Sequence, residues 1–207
     1  MSIFKSKTAA IGWTIEPCFI ITLHKKDIEI LNKIQIFFGV GIVSSVGDKV
    51  ARYRVRSRLE LKVIVEHFKE YPLQTTKALN FITFCKILYL INNKYHTNLE
   101  GLLKLVSLTN NLNNPLSNSL LDKLSPLGIL PKVELELTPK QPCNEDLNPW
   151  WISGFTTGEG SFTYFTRNRR KANNEMVKDY TLVYEVGQRS DSLHVLNLIA
   201  KIFECGK

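Results

Sequence analysis

Apolar residues recur at helical spacing through DIEILNKIQIFFGVG, starting at Asp27, and the pattern returns near the end of the chain as SLHVLNLIAKIFECG. Leu31, Asn32, Ile34, Phe38 and Gly41 of the first copy match Leu196, Asn197, Ile199, Phe203 and Gly206 of the second, each pair 165 positions apart. An apolar or mixed strand precedes each copy, Phe19 to Leu23 and Leu182 to Val186, and Asp27, with Ser190 or Asp191, supplies the capping candidates. The repeated unit is therefore strand, turn, helix, glycine.

After the first copy, Ile42 to Ser45, a Gly47-Asp48 turn and Ala51 to Arg58 read as a hairpin. Ser57 and Glu60 form a capping-box pattern before a helix that buries Leu61, Ile64, Val65 and Phe68 and stops at Pro72. A longer helix is predicted from Thr76 to Asn92, with Phe81, Phe84, Leu88 and Ile91 apolar, and a third from Leu99 to about Leu112, capped by Thr97 with Glu100. The periodicity then dissolves. Residues 113–147, with Pro115, Pro126, Pro131, Pro139 and Pro142, read as a linker containing one short helix around Ser119 to Leu124. The expected organisation is residues 1–112, this linker, and residues 148–207.

Asn148-Pro149 is an N-cap and first-turn pair, and it opens the run WWISGFTTGEGSF. Ser153, Gly154, Thr157 and Gly158 put small residues on one stretch of helix, with Trp151, Ile152 and Phe155 as bulk around it. A glycine inside a helix costs about 1 kcal/mol against alanine, and a face stripped of side chains repays that by letting a second helix approach closely. Glu159 falls in the last turn, where the helix dipole disfavours a carboxylate by about 0.3–1 kcal/mol. A divalent cation would compensate it. Two such carboxylates on close-packed helices would form a hard oxygen site suited to Mg²⁺ and able to activate water against a phosphodiester. Gly160 then releases the chain into a strand.

Alternation along that strand places Thr163, Phe165, Arg167, Arg169 and Lys171 on one face and Phe162 and Tyr164 on the other. Arg52, Arg54, Arg56 and Arg58 repeat the pattern against Tyr53 and Val55, as do Lys5 and Lys7 after Ile3. A curved sheet offering such rows suits the major groove of double-stranded DNA, where Arg and Lys reach guanine edges and phosphates and Gln188, next to Arg189, could read adenine. The opposite face would pack on helices. For most of these cations, Lys5, Lys7 and the Arg169, Arg170, Lys171 cluster among them, the expected contact is with phosphate rather than with bases.

Charge and composition narrow the picture. Lys and Arg outnumber Asp and Glu by 27 to 19 in 207 residues, giving +8, an excess that favours polyanions. Hydrophobic residues make up 44%, enough for a buried core. No apolar run approaches the roughly 18 residues of a membrane span, and the first residues show neither a signal h-region nor an Arg-rich presequence, so no membrane partner is expected. Cys18, Cys85, Cys143 and Cys205 lie far apart without a CxxC pair and read as buried thiols; His24, His67, His96 and His194 have no metal-ligand spacing. Runs such as NLNNPLSNSLL are what an AT-rich organellar gene encodes.

WISGFTTGEGSF resembles the LAGLIDADG motif of two-repeat homing endonucleases encoded in fungal mitochondrial introns, and FIITLHKKDIEILNKIQIFFGVG, HFKEYPLQTTKALNF and HTNLEGL resemble the body of that family's first repeat, in the same order. The resemblance covers nearly the whole chain. It implies an α+β fold of tandem α-β-β-α-β-β-α repeats with saddle-shaped antiparallel sheets, and Mg²⁺-dependent cutting of double-stranded DNA in the mitochondrion by a protein that, when complete, is a monomer. By resemblance Glu159 is a metal-binding, catalytic acid, Gly154, Gly158 and Gly160 pack the motif helices, and Lys77 or Gln74 serves a basic pocket near the scissile phosphate.

The chain departs from the family at both ends. The repeat offset puts a first motif before Met1, and Lys207 follows directly on the counterpart of Gly41, so the expectation is a protein truncated at both ends and, lacking one acid, unable to cleave. Alone, GEG after an apolar helix reads as a C-cap beside a solvated glutamate; the repeat and the basic strands weigh against that. Two other functions stay open, an RNA maturase gripping intron RNA with the same basic surfaces, and an inactive remnant.

Overall fold

The computed structural model describes residues 1–110, 112, 115–131 and 147–206, which fall into two compact units, Met1–Leu73 with Lys77–Pro139 and Gln74–Thr76 with Lys140–Lys207. Among the described residues no helix is long and apolar enough to cross a membrane.

The first unit begins with β1 (Ser2–Lys5), β2 (Trp13–Glu16) and β3 (Phe19–His24). β1 pairs antiparallel with β2. Only Pro17 and Cys18 separate β2 from β3, and a proline, lacking an N–H, interrupts the ladder there. Helix α1 (Ile28–Phe38) follows, then β4 (Ile42–Val46) and β5 (Val50–Val55), giving an antiparallel sheet in the order β3-β5-β4. Helices α2 (Arg58–Glu70), α3 (Lys77–Asn92), α4 (Leu99–Asn110) and α5 (Asn118–Leu124) complete the unit.

Two apolar clusters hold it together. Ala51, Tyr53 and Val55 of β5 are fully buried with Leu31 of α1 and Leu61 and Ile64 of α2. Ile3, Trp13 and Ile15 of the first hairpin join Ile87, Leu90 and Ile91 of α3 with Leu102 and Leu105 of α4. Leu88 belongs to the first cluster and its neighbours Ile87 and Leu90 to the second, so α3 lies between the two cores. That position explains why it is apolar on more than one face. Of the apolar residues predicted in α2 and α3, Leu61, Ile64, Leu88 and Ile91 are buried, and Val65, Phe68, Phe81 and Phe84 are half-buried.

Several local expectations change. The predicted linker is folded over its first part: Leu116, Leu120, Leu124 and Leu127 pack on the α4 cluster, and Ser107 Oγ donates to the Pro131 carbonyl at 2.7 Å. These leucines supply the burial that the proline count obscured. Pro139, Pro142 and Cys143 lie outside the described residues. Asp27 and Ser57 occupy N-cap positions without side-chain cap bonds, and Asn98 rather than Thr97 caps α4, its Oδ1 accepting from Gly101 N–H at 2.8 Å. Cys18 and Cys85 are half-buried free thiols and Cys205 is exposed, against the expectation of buried cysteines.

The second unit contains α6 (Pro149–Glu159), β6 (Gly160–Arg170), β7 (Met176–Val186) and α7 (Leu193–Phe203). The repeat holds residue for residue. α1 and α7 both have 11 residues at the 165-position offset, and each follows a three-residue 3-10 turn, Lys25–Asp27 and Ser190–Ser192. Each is followed by a left-handed residue, Gly39 at φ 66° and Glu204 at φ 51°.

Candidate nucleic-acid interface and motif helix

Helix α6 starts where the Asn148 side chain accepts a hydrogen bond from Trp150 N–H at 2.9 Å, with Pro149, which has no N–H to satisfy, in the first turn, so the cap forms as the sequence suggests. Its packed side carries Ile152, buried with Leu147, Val195 and Ile199, and Trp151 stacks on Phe155 at 4.6 Å. The other side carries Gly154 and Gly158, both exposed, and a Cβ added at either would meet nothing within 4 Å.

Gly160 has a different role. A Cβ there would lie 2.7 Å from the Thr156 carbonyl oxygen and 2.8 Å from Thr156 Cγ2, so the helix-to-strand junction admits no side chain. It belongs to this turn and not to the open face. Thr157 Oγ1 donates to the Ser153 carbonyl at 2.8 Å, which keeps that hydroxyl on its own helix.

Glu159 is the last residue of α6 and is exposed; no described residue hydrogen-bonds or ion-pairs with its carboxylate. It stands at the end of the helix where dipole and carboxylate repel each other. Among the described residues no group of three or more His, Cys, Asp or Glu side chains gathers to hold a metal ion. The acid the sequence singles out is therefore one oxygen donor, available and unneutralised, beside an open glycine face.

Strand pairing decides which cations share a surface. On the sheet face opposite Ala51, Tyr53 and Val55, Arg54 lies between Ile20 and Ile42, and Arg52 lies between Thr22 and Ser44. Both arginines are half-buried and their Nε atoms are covered, so the stems lie among these neighbours. The sequence does not single out Ile20, Thr22, Ile42 and Ser44 as neighbours of the arginines, because cross-strand register is invisible in any single strand. The alternation of β3 and β4 was the available signal.

The row ends at Arg54. β5 stops at Val55, Arg56 follows it, and Arg58 is the first residue of α2, so the last two arginines leave the sheet. Lys5 shares a strand face with buried Ile3, and its ammonium lies 5.7 Å from the Trp13 ring centroid; Ser2 and Phe4 occupy the other face, and Lys7 is in the following turn.

In the second unit Thr163, Phe165, Arg167 and Arg169 of β6 face the same way as their partners Val183, Thr181, Asp179 and Val177. Lys171 lies past the strand end and pairs with Glu175 at 3.2 Å, and Arg189 pairs with Asp191 at 3.0 Å, so both cations are engaged within the chain. Gln188 is half-buried in the segment before α7. On the opposite face of the hairpin Phe162, Tyr164, Tyr180 and Leu182 are exposed, whereas Tyr184 meets Phe203 of α7 at 6.0 Å. Among the described residues, the expected helix packing on this face is found at its α7 end, through Tyr184 and Val186.

Gln74 and Lys77 fall in different units. His194 Nε2–H donates to the Gln74 carbonyl at 3.0 Å and Thr76 N–H donates to Ser192 Oγ at 3.3 Å, tying the Gln74–Thr76 segment to the start of α7. Lys77 is the exposed first residue of α3.

Residues 1–88 match the family model described as LAGLIDADG endonuclease. The solved structure of the LAGLIDADG meganuclease I-CpaMI bound to uncleaved DNA is 34% identical, with a TM-score of 0.78 over 98% of this chain and 67% of that one. The chain belongs to the LAGLIDADG endonuclease family. A LAGLIDADG fold is thereby established for it, with mixed α and β elements and antiparallel sheets. The meganuclease I-SmaMI bound to its DNA target in the presence of calcium ions is 28% identical, with a TM-score of 0.81 over the whole of this LAGLIDADG chain and 68% of that protein. Among curated relatives, probable intron-encoded endonuclease 3 of Neurospora crassa is 29% identical over 98% of this chain and 37% of its own length. A protein in ND4 intron 1 of Podospora anserina is 37% identical over 44% of this chain and 21% of its own length. The chain spans less than half the length of these curated relatives.

Proposed function

We propose that this chain is part of an intron-encoded, site-specific endonuclease that cuts double-stranded DNA with the help of a divalent cation, Mg²⁺ in the cell, and that Glu159 is one of its two metal-binding acids. The observation carrying this reading is the Glu159 carboxylate, exposed and without a partner among the described residues, at the C-terminal end of α6 beside the open Gly154 and Gly158 face. An exposed carboxylate at the negative end of a helix, with no partner among the described residues, fits a cation ligand better than a structural residue does. A divalent cation held there supplies charge neutralisation and an acidified water for phosphodiester hydrolysis.

The described residues bring one such acid, so cutting depends on a second acidic helix seated on the glycine face. Arg52 and Arg54, with Thr163, Arg167 and Arg169, supply cationic and polar strand faces to the DNA. Lys77 and Gln74 are retained as candidates for the basic pocket near the scissile phosphate. The intron-borne relatives, one in ND4 intron 1, support a mitochondrial gene and a mitochondrial site of action.

The decisive experiment is Glu159→Gln in the protein carrying this chain, assayed on the intron-free junction of its host gene. Cutting in Mg²⁺ is expected to be abolished, with duplex affinity within about threefold, since this change removes a metal ligand and no DNA contact. Undiminished cutting by the variant would remove Glu159 from the metal site. Accelerated intron splicing by a variant that no longer cuts would assign the maturase role instead.

A further inference from the structure

Two adjacent threonines of α6 use their hydroxyls differently. Thr157 Oγ1 returns to the carbonyl four residues back, at Ser153, the ordinary bond for a threonine inside a helix. Thr156 Oγ1 instead lies 2.9 Å from the Tyr184 hydroxyl of β7. The Tyr184 ring is itself held, beside Phe162 at 5.2 Å and against Phe203 of α7 at 6.0 Å. Contacts therefore run from α7 through the tyrosine to the last turn of α6.

Thr156 also closes that turn. Its carbonyl accepts the Gly160 N–H, and its carbonyl oxygen and Cγ2 would lie 2.7 Å and 2.8 Å from a Cβ at Gly160. Thr156 thus fixes the helix-to-strand junction through backbone and side chain together, and Glu159 is held within it. The Glu159 carboxylate has no hydrogen-bond or ion-pair partner among the described residues, so the backbone of this turn is what aims it. Mg²⁺ demands near-ideal octahedral geometry at short oxygen distances, whereas Ca²⁺ accepts a looser and more variable shell. The aim of the carboxylate therefore matters more to the stricter ion.

We infer that Tyr184, acting through Thr156, is a positioning residue for Glu159, and that the bond between the two hydroxyls favours Mg²⁺ over Ca²⁺ at that carboxylate. The inference rests on Glu159 being a metal-binding acid. It requires no contact of Tyr184 with metal or DNA.

The test titrates the protein carrying this chain, bound to a duplex with uncleavable linkages at the cut site, with Mg²⁺ and with Ca²⁺ by calorimetry. Cutting of the ordinary duplex is measured in parallel against Mg²⁺ concentration. Tyr184→Phe and Thr156→Val each delete one hydroxyl of the pair, Thr156→Ser keeps it, and Tyr180→Phe deletes a hydroxyl elsewhere on the same sheet face. Circular dichroism verifies folding. In both hydroxyl-deleting variants Mg²⁺ affinity is expected to fall about two- to fivefold, as for loss of one hydrogen bond, and Ca²⁺ affinity by less. Cutting recovers at saturating Mg²⁺, and duplex affinity without metal is unchanged. The double variant is no worse than either single one, and Thr156→Ser and Tyr180→Phe match the native protein. Native Mg²⁺ affinity in the folded variants, an equal loss for Mg²⁺ and Ca²⁺, or the same loss in Tyr180→Phe overturns the assignment. Glu159→Gln separates the two readings. If it alone loses Mg²⁺ affinity, the acid stands and the positioning role falls; if it binds Mg²⁺ as the native protein does, the metal reading falls and this inference with it.

Discussion

The hydroxyl groups of Thr156 and Tyr184 lie 2.9 Å apart, joining α6 to β7 one turn before Glu159. Tyr184→Phe keeps the ring contacts with Phe162 and Phe203 and removes only this bond. Because both residues are partly solvated, the expected loss is about 0.5 kcal/mol, at the low end for a hydrogen bond. A double-mutant cycle with Thr156→Val in urea unfolding measures the coupling, and a value of zero would mean that the pair does not hold the hairpin to the helix.

Gly41 sits at φ 79°, and a Cβ there would lie 2.7 Å from Val55 Cγ2 and 2.8 Å from the Arg54 carbonyl oxygen. Gly39 sits at φ 66° with open space around it. Gly39→Ala is therefore expected to cost about 1–2 kcal/mol from backbone conformation alone, and Gly41→Ala roughly 3 kcal/mol or more because overlap with β5 adds to it. Equal losses in denaturant unfolding would show that the approach to β5 does not constrain this position.

Arg52 and Arg54 are flanked by different partners, Thr22 and Ser44 in one case and Ile20 and Ile42 in the other. If both meet phosphates, the Arg52→Ala, Arg54→Ala variant should bind all duplexes more weakly, with the slope of log affinity against log salt reduced by about 0.9 for each phosphate that is no longer neutralised. An unchanged slope with altered sequence preference would instead make them base readers, in which case the exposed isoleucines beside Arg54 are placed to meet thymine methyl groups.

His67 is ringed by Phe37, Phe38, Phe68 and Tyr71 at centroid distances of 5.0–5.5 Å. Burial lowers its pKa from 6.5, opposed by the Glu70 charge. The folded state then holds fewer protons than the unfolded one at mildly acidic pH. The associated stability is present above pH 6.5 and is lost as pH falls through the depressed folded value. Denaturant unfolding across this window should show a weaker acid loss in His67→Phe; identical pH profiles would remove His67 as a contributor.

Much of this architecture was written locally. The 165-residue repeat, both repeat helices, the Asn148 cap, the termination of α6 at Glu159 and the alternation along β6 all depend on residues close in sequence, whose spacing alone sets a helix stripe or a strand face. The same local evidence marked Gly154 and Gly158 as a bare surface and Glu159 as a carboxylate in need of compensation.

Tertiary structure decided what those patterns meet. It placed Leu116, Leu120 and Leu124 of the predicted linker on α4, paired Lys171 and Arg189 with neighbouring acids, put Lys5 over Trp13, and divided the arginine row so that Arg52 and Arg54 remain on the sheet while Arg56 and Arg58 leave it. Periodicity is a property of contiguous residues and can be read from their order. Register, counter-ions and pockets depend on which distant segments pack together, and that is settled by burial of the whole chain rather than by any stretch of it.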